Sequence, residues 1–186
     1  LGDMGCHFMD VPYRALQLGY PESVECSVGA VWSGFFQQEI YNDSFPPSSK
    51  IHIQFPARGQ QPPVELVWYD GGILPKRPAE LLPDEPMSNQ DGGMIFYGTK
   101  GKLLAGLFGT NPTLLPTKKM NEITLPAPKR ELVPGGEEGH QQQWVKACKK
   151  GFGTYTSSSF DEAGPLTETV IMGNLAIRSY NYAEKD

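Results

Sequence analysis

The chain has 186 residues with 21 acidic and 16 basic side chains, a net charge of −5 and a sequence pI near 5.2, which argues against a nucleic-acid backbone as partner. That length suits a single domain with its own hydrophobic core, and no stretch approaches the roughly 18 consecutive apolar residues of a membrane helix. Cys6, Cys26 and Cys148 lie far apart without a C-x-x-C pair, which argues against a disulfide scaffold and a structural zinc site and leaves room for at most one disulfide.

The chain opens on "LGDMGCHFMD", inside a patterned segment, so it reads as a piece of a longer protein or one ordered only from here; a signal peptide would lie upstream. From Asp3 to Leu18, Met4, Phe8, Val11, Ala15 and Leu18 follow helical spacing, with Gly19 as C′ cap and Pro21 preventing continuation. Pro12 interrupts the run, and a single kinked unit is expected, the alternative being a second helix capped by Asp10. Val24, Cys26, Val28 and Ala30 alternate with more polar neighbours, as do Ile51, Ile53 and Phe55 and then Val64, Leu66 and Trp68, predicting strands with one buried face. "RGQQPP" suits a hairpin connection, and His52 falls on the solvent side of its strand.

Residues 71–92 hold four prolines without a period and read as an ordered surface loop in which Lys76 and Arg77 are solvated charges. "GMIFYGTKGKLLAGLFG" predicts two strands joined at "GTKG", and "NPTLLP" and "KRELVP" short edge strands. "EEGHQQQWVKACKKG" predicts a helix with Trp144, Val145 and Cys148 on one side, Gly151 after it and His140 exposed near its start. A last helix is expected with Pro165 near its first position, Leu166, Val170, Ile171, Asn174 and Ile177 on one side, and Asp161 and Glu162 ahead of it as capping and dipole-compensating charges. Gly173 inside that helix costs about 1 kcal/mol relative to alanine and points to a close helix–sheet approach. Helix, antiparallel strands, then two helices give an α+β class: a mostly antiparallel open sheet with helices on one face, its other face polar or covered by a partner.

Asp3, His7 and Asp10 are spaced four and three apart, which places them on neighbouring positions of one helix face. Residue types and spacing alone leave three readings open: a catalytic pair, half of a metal site, or a capped helix end with a chance histidine. Trp68, Tyr69 and Asp70 close a strand and enter the long loop, where an aromatic face and a carboxylate suit a sugar, or where Trp68 is core and "DGG" a turn. Cys6 reads as a small packing residue.

"LGDMGCHFMDVPYRALQLG", "VELVWYDGG", "FYGTKGKLL" and "DEAGPLTETVIMGNLAIRS" together resemble the C-terminal domain of Gfo/Idh/MocA-type oxidoreductases of the long bacterial branch, over nearly the whole chain. The most specific element is D-x-G-x-H-x-x-D at Asp3, Gly5, His7 and Asp10. The resemblance implies one substrate-binding and oligomerisation domain spanning residues 1–186, whose partner is an N-terminal Rossmann domain that binds NAD or NADP. It also implies a sugar, inositol or related polyol as substrate, and assembly of copies through the open sheet. The family's E-K-P lysine motif and a G-x-G-x-x-G loop are both absent here, so the resemblance implies no cofactor site in this chain and no turnover by it alone.

By motif position, His7 is the expected general acid/base, Asp3 orients it or binds substrate hydroxyls, and Asp10 supports them or caps a helix. An imidazole with an ordinary pKa near 6.5 exchanges protons near neutrality, and a carboxylate one turn away can orient it. Asp10, Trp68, Tyr69 and Asp70 are the substrate-binding candidates. Three alternatives accompany this expectation: an NAD-dependent glycoside-cleaving relative, a non-catalytic binding or assembly domain, and a metal-dependent hydrolase using Asp3, His7 and Asp10. The metal site of the last is expected to be empty.

Overall fold

The computed structural model describes residues 1–129 and 132–180. In chain order these form α1 (Gly5–Ala15), β1 (Ser23–Val28), β2 (Trp32–Gly34), β3 (Gln37–Gln38), β4 (Ser49–Phe55) and β5 (Val64–Tyr69). There follow β6 (Gly93–Gly98), β7 (Gly101–Gly106), β8 (Thr113–Leu115), α2 (Gly136–Lys150) and α3 (Phe160–Ser179), with 3-10 turns at Leu107–Gly109 and Thr117–Glu122. The fold is α+β with antiparallel open sheets. The strands divide into a sheet ordered β1–β4–β5, a second ordered β6–β7–β8, and a small β2–β3 ribbon.

The period-two pattern of β4 builds the core. Ile51, Ile53 and Phe55 are fully buried and meet Met9 and Tyr13 of α1, Leu18 after it, and Leu166, Val170 and Ile177 of α3. Each such side chain contributes about 1.5–3 kcal/mol on burial. Alternate residues of the flanking strands, Val24, Cys26 and Val28 on one side and Val64, Leu66 and Trp68 on the other, pack against this cluster. The Cys26 thiol donates to the Ala176 carbonyl at 3.0 Å, and burial pushes its pKa up. The close neighbour of Gly173 is Leu1 rather than the sheet: a Cβ there would lie 2.4 Å from Leu1 Cδ2 but 3.7 Å from Ile51 Cγ2, so the Leu1 side chain fills the gap between helix and sheet.

The opposite face of this sheet is polar. His52 Nδ1 lies 2.7 Å from Glu65 Oε1, Gln54 Nε2 donates to the same oxygen at 2.9 Å, and the Lys50 ammonium sits over the Tyr69 ring. His52 is solvent-facing, as its strand position predicts.

Several boundaries differ from the sequence expectation. α1 is one continuous helix containing Pro12, so Asp10 caps nothing, and Asp3 lies in the turn before it. Gln17, not Gly19, is the left-handed residue that ends it, with Gln17 N–H bonding Arg14 O at 3.3 Å and Leu18 N–H bonding Tyr13 O at 3.0 Å. β1 stops at Val28, short of Ala30. α3 starts at Phe160, placing Pro165 inside it and Asp161 and Glu162 in its first turn rather than ahead of it. Ile171 points outward at 48% exposure. α2 forms where expected but has no buried residue; Trp144, Val145 and Cys148 are exposed, so its apolar side does not join the core. In "KRELVP", Arg130 and Glu131 lie outside the described residues, and 132–134 form no strand.

The loop 71–92 is ordered by its own bonds. Arg77 is exposed but not merely solvated, because Nη2 donates to the carbonyls of Leu82 and Glu85 at 2.5 and 2.6 Å. Leu81 is buried, and Lys102 of β7 pairs with Glu80 at 2.7 Å. The loop is thereby tied to the second sheet, whose 107–109 turn rests on α1.

Candidate functional site

The chain is helical in pattern from its first turn, since Gly5 N–H bonds Leu1 O at 2.6 Å, and α1 keeps one side against α3 because Gly5 has no side chain. A Cβ at Gly5 would sit 3.0 Å from Val170 Cγ1. Asp3, in the turn before α1, and Cys6 and His7, in its first turn, are all exposed. Among the described residues, neither the Asp3 nor the His7 side chain makes a hydrogen bond or ion pair. Both are left open to a ligand. Phe108, from the turn after β7, meets the His7 ring edge-on, with centroids 5.4 Å apart and planes at 88°.

Asp10 does not share that freedom. Arg14 Nε donates to its Oδ1 at 2.7 Å, and the same guanidinium pairs with Glu162 and donates to Ser157 O at 3.0 Å. The last residue of the motif is therefore tied, through Arg14, to the contact between α1 and the start of α3.

Trp68 and Tyr69 point to opposite faces of their sheet. Trp68 packs on the core and meets Phe8 of α1 edge-on at 6.0 Å, whereas Tyr69 lies on the polar face. The fold does not bring them together as one aromatic receptor. Asp70 is occupied internally: Oδ1 accepts from Ser49 N at 2.5 Å and Ser49 Oγ at 2.8 Å, and Oδ2 accepts from Trp68 Nε1 at 2.8 Å. Burial raises its pKa, but the bonds from Trp68 and Ser49 outweigh this and leave it below the usual carboxylate value. This carboxylate closes the end of β5 onto the start of β4.

Cys6 is exposed rather than packed, its thiol 3.6 Å from Asp3 O. His140 is exposed on α2, 3.1 Å from Ser157 Oγ. Among the described residues, no group of three or more His, Cys, Asp or Glu is arranged to hold a metal ion, and Asp10 is taken by Arg14. The three cysteines are unpaired.

Sequence reasoning passed over Phe108 and Gly109. Their signal was the "GLFGT" run at 106–110, read only as a strand end. The face bearing His7 is open in that Asp3, His7 and Phe108 are all exposed; a cavity of about 20 Å³ lined by Tyr41, Ile177 and Arg178 and another of about 460 Å³ lined by Val133, Glu138 and Lys146 lie elsewhere. Against protein-family models and against curated proteins, the sequence finds no match.

Proposed function

We propose that this chain is the substrate-side domain of a Gfo/Idh/MocA-type oxidoreductase acting on a sugar, inositol or related polyol, with His7 as the proton-transfer group and Asp3 as its carboxylate companion. The observation that carries this reading is that Asp3 and His7 are exposed and, among the described residues, make no side-chain hydrogen bond or ion pair, while Asp10 is paired with Arg14 and Gly5 is packed against Val170.

This reading gives a nicotinamide cofactor no site in this chain. The sequence holds no glycine-rich nucleotide loop, and the described strands pair antiparallel, without the parallel βαβ unit that places a pyrophosphate on a helix N-terminus. This reading therefore assigns NAD or NADP to a separate Rossmann domain, and this chain's part is confined to substrate and proton. His7 accepts the proton of a substrate hydroxyl and returns it, a role that contributes typically 10²–10⁴-fold in rate. Asp3, four residues earlier, accepts hydrogen bonds from neighbouring hydroxyls or from the imidazole N–H. The openness of the face is consistent with a cleft closed by that other domain.

Titrating the isotopically labelled chain with myo-inositol and D-glucose, while following the imidazole signals, tests the binding half. Shifts at His7 without shifts at His52 or His140 are expected, and Asp3→Asn weakens them. No change at His7 with either probe at molar-scale concentration counts against a polyol site on this face.

A second reading, an assembly domain without chemistry of its own, is favoured by the ribbon tip. Phe35 and Phe36 are 92% and 83% exposed and meet edge-on at 4.4 Å, an apolar knob of the kind that marks contact surfaces. The open sheet face, the other candidate surface for assembly, carries Glu25, Lys50, His52 and Glu65 together with Val67 and Tyr69. Sedimentation velocity on the chain with Phe35 and Phe36 both changed to Ser separates these surfaces.

A further inference from the structure

We propose that Phe108 is a positioning residue that fixes the orientation of the His7 imidazole, an inference that rests on His7 being the proton-transfer group. Phe108 has φ +59°, a left-handed conformation in which a bulky side chain is a true outlier. Such outliers persist where the surroundings over-determine them, and they gather at functional sites.

The surroundings here do so. The turn is closed by Gly106 N–H on Thr110 O at 2.8 Å, Thr110 N–H on Leu107 O at 3.2 Å and Thr110 Oγ1 on Leu107 O at 2.9 Å. Gly109 follows at φ +74°, and a Cβ on it would lie 3.2 Å from both Val11 methyl groups. Val11 is one helical turn beyond His7 on the same face of α1. Gly109 thus lets the turn press on Val11, and that seating carries the Phe108 ring to His7.

Core burial does not explain the arrangement, because Phe108 remains 62% exposed. What the strained residue gains is the perpendicular contact with the imidazole, a favoured geometry for aromatic pairs. A ring wedged edge-on against an otherwise unbonded imidazole restricts rotation about its χ2. On this proposal the contact limits the orientations open to the imidazole before any substrate arrives, which is the preorganisation that proton transfer rewards.

The experiment is NMR of the imidazole ring protons in the intact chain, with His52 and His140 as internal references. The wild type is expected to show cross-relaxation between the His7 and Phe108 rings and a ring-current shift at His7. Phe108→Leu abolishes both, Phe108→Tyr keeps both, and Gly109→Ala, which lifts the turn from Val11, reproduces the loss with the phenylalanine still present. The His52 and His140 signals stay in place throughout. Unmoved His7 signals in Phe108→Leu, or in Gly109→Ala if the leucine variant does not fold, overturn the proposal. Loss of turnover in His7→Ala is judged separately, so a failure of the contact and a failure of the functional reading are distinguishable.

Discussion

Arg14 holds Asp10 at 2.7 Å one turn back along α1, and the same guanidinium reaches Glu162 and Ser157 O across the gap to α3. One cation thereby joins α1 to the segment that leads into α3, and the half-buried setting of Arg14 keeps the pairing from being a plain surface ion pair. Arg14→Met is expected to lower stability by roughly 1–2 kcal/mol, between the small value of exposed pairs and the larger value of bonds to charged groups. Asp10→Asn, which leaves Glu162 and Ser157 in place, should cost less than about 1 kcal/mol. Urea titration of both variants checks the order; a costlier Asp10→Asn means that Asp10 does more than pair with Arg14.

Asp70 makes stability depend on pH in a known direction. Its folded pKa is lowered, because the bonds from Trp68 and Ser49 outweigh burial. The stabilisation is therefore fully present above the unfolded aspartate value near about 3.9 and is lost as pH falls through the folded one. Asp70→Asn should cost about 1–3 kcal/mol near neutrality, and the gap from wild type should close as the solution is acidified below pH ~4. A gap that stays constant into acid assigns the loss to shape rather than charge.

Gly71 follows at φ +61°, where a Cβ would lie 2.1 Å from the Pro47 carbonyl oxygen and 2.4 Å from Ser48 Cα. Both obstacles are backbone and neither can swing aside. Gly71→Ala is expected to destabilise by roughly 2–4 kcal/mol, combining overpacking with a disfavoured backbone conformation. Thermal melting that shows wild-type stability would mean that the β5 end does not sit against residues 47–48.

What was readable in the sequence followed local periodicity. The alternation of Ile51, Ile53 and Phe55 specified the core strand because a slip of one residue would have turned all three outward. The Gly98–Gly101 turn and the ending of α2 at Gly151 were readable for similar local reasons. Pro165 misled, since proline favours a first helical turn, yet α3 begins five residues earlier and continues through it on the strength of Leu166, Val170 and Ile177 in the core. The β2–β3 ribbon escaped notice because two and three residues carry no period, and its register shifts between Trp32 and Gly34.

The site divided along the same line. Spacing alone left Asp3 and His7 with three readings, and it was the family resemblance that singled them out. The occupation of Asp70 by Ser49, 21 residues away, and the arrival of Phe108 at His7 depend on strand register and on a left-handed turn, which neither composition nor local pattern encodes.

The central claim is that His7 moves the substrate proton, and the most direct measurement is steady-state turnover of His7→Ala, beside wild type, in the full-length protein that the proposed function takes to carry a nucleotide-binding domain. A fall in kcat of about 10²–10⁴-fold, with nicotinamide binding measured by titration left unchanged, is the expected result. A kcat equal to that of wild type contradicts the account.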